Sequence, residues 1–218
     1  MDQKRIKNKL PVAREGLPFM IAGVALAIIM GVFHLVFLAL VISMITLFVV
    51  YFFRDPERSP VGNERAVLTP ADGKILSVDK LDKGDHNFKH SSIKISIFMS
   101  IFNAHINRIP IRGKVLDISY TPGKFFSANM DKASKYNEHN IITLETDYDK
   151  KIVFVQIAGL IARRIACWVK ERDNVEAGQR FGLIRFGSRL EVYLPANSEV
   201  TVQKGQKVKA GQTVIGYI

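Results

Sequence analysis

The dipeptide Gly187-Ser188 carries the most chemistry in this sequence. It sits in Arg185-Phe186-Gly187-Ser188-Arg189-Leu190-Glu191-Val192-Tyr193-Leu194-Pro195, with strand-like residues leading in from both sides. Glycine ahead of serine leaves the peptide carbonyl sterically open and tolerates strained backbone angles. A hydroxyl beside such a carbonyl can attack it within the chain, with the entropy of encounter already supplied. A Gly-Ser between strands is also an ordinary turn, so the dipeptide needs corroboration. His105, in Asn103-Ala104-His105-Ile106-Asn107-Arg108-Ile109-Pro110, has apolar and amide neighbours. It reads either as a satisfied core histidine or as a general acid or base, because imidazole titrates near neutrality.

Other chemistry-bearing residues are weaker. His86 and His90 are four apart, a metal-binding spacing on a helix, but Gly84-Asp85-His86-Asn87 is loop composition and no third ligand stands nearby. No metal site is expected. Asp131-Lys132-Ala133 matches a lipoyl-attachment tripeptide but lies in a polar stretch, away from any glycine-marked hairpin tip. The single cysteine, Cys167, excludes an internal disulfide framework and a multi-cysteine zinc site.

The elements that must hold these residues begin with a segregated charge pattern. The chain has 218 residues and a net charge of +11, yet no Asp, Glu, Lys or Arg occurs from Gly16 to Phe53. One span needs about 20 apolar residues, so this stretch suits two crossings, broken at Met30–His34. A helical hairpin of Leu17–Phe33 and Leu35–Phe53 follows, with one long tilted helix as the runner-up. It is too long for a cleavable signal peptide. Lys4, Arg5, Lys7, Lys9 and Arg14 precede it, and Arg54 and Arg58 follow it. Positive charge at both ends puts both ends in the cytoplasm. The first 16 residues read as a basic tail, solvated or drawn to anionic headgroups. The remaining basic residues are scattered, without a recognition helix or stacking motif, which argues against nucleic acid.

Residues 54–218 read as a β-dominated α+β domain. Strands are expected at Lys74–Val78, Ser92–Met99, Gly113–Tyr120, Asn140–Thr146, Lys151–Ile157, Leu183–Phe186, Leu190–Leu194 and Glu199–Gln203. Gly159–Cys167 reads as helix, Asn103–Arg108 as a turn of helix and Asp131–Glu138 as loop. Val175-Glu176-Ala177-Gly178-Gln179 returns as Val208-Lys209-Ala210-Gly211-Gln212. The glycines suggest tight turns between short strands, similar to the hairpins of biotinyl and lipoyl carrier domains.

With these motifs in order, the sequence resembles the phosphatidylserine decarboxylase proenzymes of the short, membrane-anchored kind. The resemblance covers nearly the whole chain. It rests on Phe53-Arg54-Asp55-Pro56, Pro70-Ala71-Asp72-Gly73, the Asn103–Pro110 segment, Gln156-Ile157-Ala158-Gly159 with Ala162-Arg163-Arg164-Ile165, and most specifically Arg185-Phe186-Gly187-Ser188. It implies self-cleavage by attack of Ser188 on Gly187, giving a beta chain, 1–187, and an alpha chain, 188–218, that opens with a pyruvoyl group. That ketone would serve as electron sink for converting phosphatidylserine to phosphatidylethanolamine and CO2.

The resemblance also assigns roles. Asp72 matches the aspartate implicated in self-cleavage, acting directly or through His105. His105 matches the first histidine of the family's His-x-x-His-x-Pro element, a proton donor after decarboxylation. The second histidine is replaced by Arg108, which stays protonated and is no base. An Asp-His-Ser triad therefore does not carry over. Arg108 is instead suited to the lipid phosphate or the serine carboxylate. The implied partners are the phospholipid membrane and the two associated chains of one precursor. The implied location is the inner membrane, with the catalytic domain on the cytoplasmic side. Whether the enzyme is a homodimer, and whether the lipid is diacyl or ether-linked, stay open. Two other readings also stay open: a membrane-anchored serine hydrolase or peptidase using Ser188, and a non-enzymatic membrane-tethered binding domain.

Overall fold

The computed structural model describes residues 6–8, 10–82, 91–124, 126–127, 136–159, 164–185 and 187–218. His86, His90 and the Asp131-Lys132-Ala133 tripeptide lie outside the described residues.

Two apolar helices come first, α1 (Leu17–Val32) and α2 (Val36–Phe52), entered through a short 3-10 turn at Arg14–Gly16. Pro18 sits in the first turn of α1, where a missing N–H costs nothing. The break falls at Phe33–Leu35, with His34 in the left-handed region at φ 58°. The helices pack against one another at small residues. A side chain added at Gly23 would collide with Thr46, whose hydroxyl is bonded back to the Ile42 carbonyl. No residue of α1 is buried. The 19-residue run Arg14–Val32 is long and apolar enough to cross a membrane, and Val36–Phe52 is a shorter apolar helix.

The rest is almost entirely strand: β1 (Ala66–Leu68), β2 (Gly73–Leu81), β3 (Ser92–Met99), β4 (Ile106–Arg108), β5 (Gly113–Thr121), β6 (His139–Thr146), β7 (Lys151–Ala158), β8 (Ile165–Cys167), β9 (Asn174–Val175), β10 (Arg180–Ile184), β11 (Ser188–Pro195), β12 (Glu199–Val200), β13 (Lys207–Val208) and β14 (Val214–Tyr217). Eight of them form one antiparallel sheet in the order β13-β2-β3-β11-β7-β6-β5-β9. The order β4-β10-β8 makes a second sheet and β1-β14-β12 a third. Alternate residues of the large sheet, including Ile95, Ile97, Leu190, Val192, Ile142 and Phe154, face one apolar core.

Three sequence expectations change. Gly159–Cys167 is not a helix over its described part, because Ile165–Cys167 is a strand paired with β10. Ile and Cys are β-compatible, and an edge position in a small sheet overrode the lack of breakers. Asn103–Arg108 is not a turn of helix either: Ile106–Arg108 pairs with β10, and the turn lies earlier, at Ser100–Asn103. The described part of the first 16 residues is docked rather than solvated. Ile6, Asn8 and Ala13 are buried, and the Ala13 amide donates to the Phe53 carbonyl at 2.7 Å.

The repeated Val-x-Ala-Gly-Gln segments serve a pseudo-symmetric purpose. Their valines lie in the edge strands β9 and β13, which pair with β5 and β2. Both glycines adopt positive φ, 74° at Gly178 and 70° at Gly211. Each then donates its amide to the carbonyl just before a Pro-x-x-Gly-Lys strand start, Gly178 to Ile109 and Gly211 to Thr69. The two turns meet: a Cβ on Gly211 would lie 3.5 Å from the Gly178 backbone.

Candidate active site

Ser188 opens β11, the strand with β3 on one side and β7 on the other. It faces Met99 across one ladder and Ala158 across the other, and is 0% exposed. Gly187 precedes it at φ 66°, a conformation glycine adopts without penalty, and a Cβ there would meet nothing within 4 Å. The backbone thus turns in open space and then enters the middle of the sheet. The Ser188 hydroxyl is 3.3 Å from the Met99 thioether sulfur, a weak acceptor that leaves the oxygen chemically available. That sulfur also receives the Asn107 carboxamide at 3.7 Å. The Asn107 oxygen accepts from Gln156 at 2.9 Å, and the Gln156 oxygen accepts from Asn140 at 3.0 Å. All four partners are buried. This relay of amides escaped the sequence reading as chemistry, although Asn107 and Gln156 lie in segments that carried the resemblance. Its signal was available: two carboxamides in runs otherwise destined for a core.

His105 is fully buried between the Ser100–Asn103 turn and β4. Its Nδ1 lies 2.9 Å from the Asn103 carbonyl. A carbonyl only accepts, so Nδ1 carries the proton and Nε2 presents a lone pair. Among the described residues, no hydrogen bond reaches Nε2. The ring lies on Phe52, with centroids 4.1 Å apart. Burial pushes its pKa down to about 4, and the nearby Arg54 charge adds to this, against the opposing pull of the Asn103 carbonyl and Asp72. At neutral pH it is a neutral base. The strand that follows it, β4, pairs with β10, which ends three residues before Gly187 in the sequence.

Asp72 sits at the head of β2, two strands across from Ser188, or about 10 Å by strand spacing. Both its oxygens are bound by the Arg58 guanidinium, and one also accepts the Ala210 amide at 2.8 Å. Arg58, read in the sequence as a membrane-flanking charge, therefore points inward. Among the described residues, no hydrogen bond joins Ser188, His105 and Asp72 directly.

Arg108 is buried, with its fork already engaged. It donates to the Gly178 carbonyl at 2.9 Å and the Pro56 carbonyl at 2.8 Å, and lies 3.6 Å from Asp55. Burial and the neighbouring Arg180 lower its pKa to about 10, which still leaves it charged at neutral pH. Asp55 is held in turn by Arg180 at 2.9 Å and by Asn8 at 3.2 Å. The segment after α2 is thereby tied to the floor of the domain.

The base of the helical hairpin forms one wall of the site. Arg185, two residues before Gly187, lies over the Phe19 ring of α1 at 5.6 Å. Arg54 and Tyr51, at the end of α2, both donate to the Phe102 carbonyl, at 2.8 and 3.1 Å.

Comparison with known proteins bears directly on this arrangement. A family model described as phosphatidylserine decarboxylase matches residues 45–216. The chain is similar to proteins named phosphatidylserine decarboxylase proenzyme from three bacteria. It is 47% identical to that of Desulfotalea psychrophila over 98% of this chain and 99% of the relative. It is 49% identical to that of Syntrophus aciditrophicus over 97% and 99%. It is 45% identical to that of Geotalea uraniireducens over 98% and 100%.

Proposed function

From the premise that this chain belongs to the phosphatidylserine decarboxylase family, we propose that it cuts itself between Gly187 and Ser188 and then decarboxylates phosphatidylserine to phosphatidylethanolamine at the pyruvoyl group so made. The observation that carries this reading is the left-handed, unobstructed Gly187 placed against the buried Ser188.

The chemistry follows from the residues. The Ser188 oxygen attacks the Gly187 carbonyl carbon, and the peptide nitrogen leaves as the acyl group moves to oxygen. The ester then loses the Ser188 α-proton, and the Gly187 carboxylate departs as the new end of chain 1–187. The unsaturated residue left behind takes up water and releases ammonia. Ser188 needs a base close by but no strong competing hydrogen bond, and the Met99 sulfur satisfies that condition. His105, with a bare Nε2, is the base at hand, and Asp72 acts on it through charge. The site fits a small ketone: its position is enclosed by the sheet, and the Asn107 carboxamide at the Met99 sulfur, held in turn by Gln156, supplies a neutral donor. A pyruvoyl group at position 188, held beside Met99, would supply the ketone that serves as electron sink for the decarboxylation. His105 then returns a proton. Arg108, with its donors committed to Gly178 and Pro56, positions these segments, and Arg185 is the better-placed cation for the lipid's phosphate or carboxylate.

In this reading α1 and α2 cross the inner membrane as a hairpin, with the catalytic domain in the cytoplasm. The hairpin base forms one wall of the site, so the headgroup meets the catalytic residues while the acyl tails stay in the bilayer.

Intact-mass measurement of the purified protein tests the proposal. The expected result is two chains, 1–187 and 188–218, the smaller one blocked to Edman degradation and heavier after borohydride reduction. A single chain with no carbonyl would overturn it.

A further inference from the structure

We infer that Phe102 is a third point of membrane contact, seated at the headgroup–acyl boundary of the same bilayer that holds the hairpin. This rests on the proposal that α1 and α2 are membrane-embedded. Phe102 is 62% exposed, more than any other large apolar side chain described outside the helical hairpin and its connecting turn. A lone exposed phenylalanine needs no explanation, but this one is held in place. Its carbonyl is clamped from the helix side by Arg54 and Tyr51. Its turn is closed by Asn103, whose side-chain oxygen accepts from the Ser100 amide at 2.9 Å and the Ser100 hydroxyl at 2.8 Å. Its ring meets Phe48 of α2 edge-on, with centroids 6.5 Å apart. The apolar surface of α2 therefore continues onto the turn. Arg54 lies over the Tyr51 ring at 4.0 Å, an aromatic and a cation at the level where headgroups begin. Water is a poor neighbour for a fixed ring beside a lipid-facing helix, and the bilayer edge is the continuous apolar phase available to it.

The consequence is mechanistic. The turn that would touch lipid also carries the Asn103 carbonyl that fixes the His105 tautomer. Membrane contact and base orientation then share one short loop.

Depth-dependent fluorescence quenching tests this. Trp168 is the one tryptophan in the sequence, so the full chain carrying Trp168→Phe gives a dark background. Into it go Phe102→Trp, Ile101→Trp on the same turn, or Met44→Trp in mid-α2, a position 71% exposed. Each is reconstituted in vesicles of phospholipid brominated either near the headgroup or deep in the acyl chain. Met44→Trp should lose emission to the deep bromines. Phe102→Trp, or Ile101→Trp should the first fail to fold, should lose emission chiefly to the shallow ones. Quenching at Met44 with none at residues 101 and 102 would overturn the contact while leaving the hairpin standing. No quenching at any position would overturn the membrane hairpin together with the contact. Retention of the two-chain pattern reports that each variant has folded.

Discussion

Phe52, the last residue of the second apolar helix, lies on the imidazole of His105, with ring centroids 4.1 Å apart. The contact joins the hydrophobic segment to the candidate site and adds to the burial that keeps the ring neutral. It gives the first prediction. Phe52→Ala should let water reach His105 and raise its pKa from about 4 toward the ordinary 6.5. The acid limb of the pH–rate profile should move upward with it, as measured on mixed micelles. Phe52→Leu should move it less.

The same shift gives a stability test, with the sign fixed by linkage. The folded pKa lies below the unfolded value, so the unfolded chain binds the extra proton between pH 6.5 and about 4. Stability from this group is complete above pH 6.5 and is lost as the pH falls through that window. Thermal unfolding of His105→Gln should therefore be less sensitive to pH across that range than the wild type. Equal slopes would mean that the ring is already hydrated in the native state.

Gly187→Ala separates backbone conformation from steric room. A Cβ there meets nothing, so the change costs only the left-handed φ, about 1–2 kcal/mol. The chain should fold, and cutting should slow because the alanine pulls the scissile peptide toward a different angle. Ser188→Ala should remain whole and inactive. Time courses on denaturing gels distinguish the two.

Asp55 sits among Arg180, Arg108 and Asn8 with almost no exposure. Asp55→Ala would take the nearest carboxylate from the buried Arg108 and leave Arg180 with Glu57 alone, at 2.7 Å, at a cost of about 3–5 kcal/mol. A lowered melting temperature should result. The double variant Asp55→Leu with Arg180→Met should recover part of the loss. A double variant no more stable than Asp55→Ala would mean that the network is held by its carbonyl contacts instead.

Much of this was legible in the residues, for identifiable reasons. The absence of charge from Gly16 to Phe53 and the break at Met30–His34 mark two helices, because helix length and charge exclusion are local properties. The strands Ser92–Met99 and Lys151–Ile157 were equally plain from their β-branched runs. Short strands such as β4, β8, β9 and β13 were not, since two or three residues carry no period and exist only through their partners. The site divides in the same way. Gly187-Ser188 announces itself by chemistry, but the Met99 sulfur, the Asn107–Gln156–Asn140 relay and the Arg58 clamp on Asp72 depend on strand register. Arg108 shows the limit most clearly: its type suggests an anion ligand, while the Gly178 and Pro56 carbonyls and the nearby Asp55 that engage its fork depend on the fold.

The position of β11 has a consequence for assembly. Once the bond before Ser188 is cut, β11 is still hydrogen-bonded along both edges, to β3 and β7, and its inward residues fill the common core. Chain 188–218 also supplies β13 and β14 to partners in the other piece. A protein cut there would be a heteromer whose subunit interface is a protein interior, with its one-to-one stoichiometry inherited from a single translation product. Its two polypeptides cannot exchange between molecules without global unfolding. An active enzyme should not be recoverable by mixing separately folded halves, and a damaged pyruvoyl chain cannot be replaced, so the molecule must be made anew.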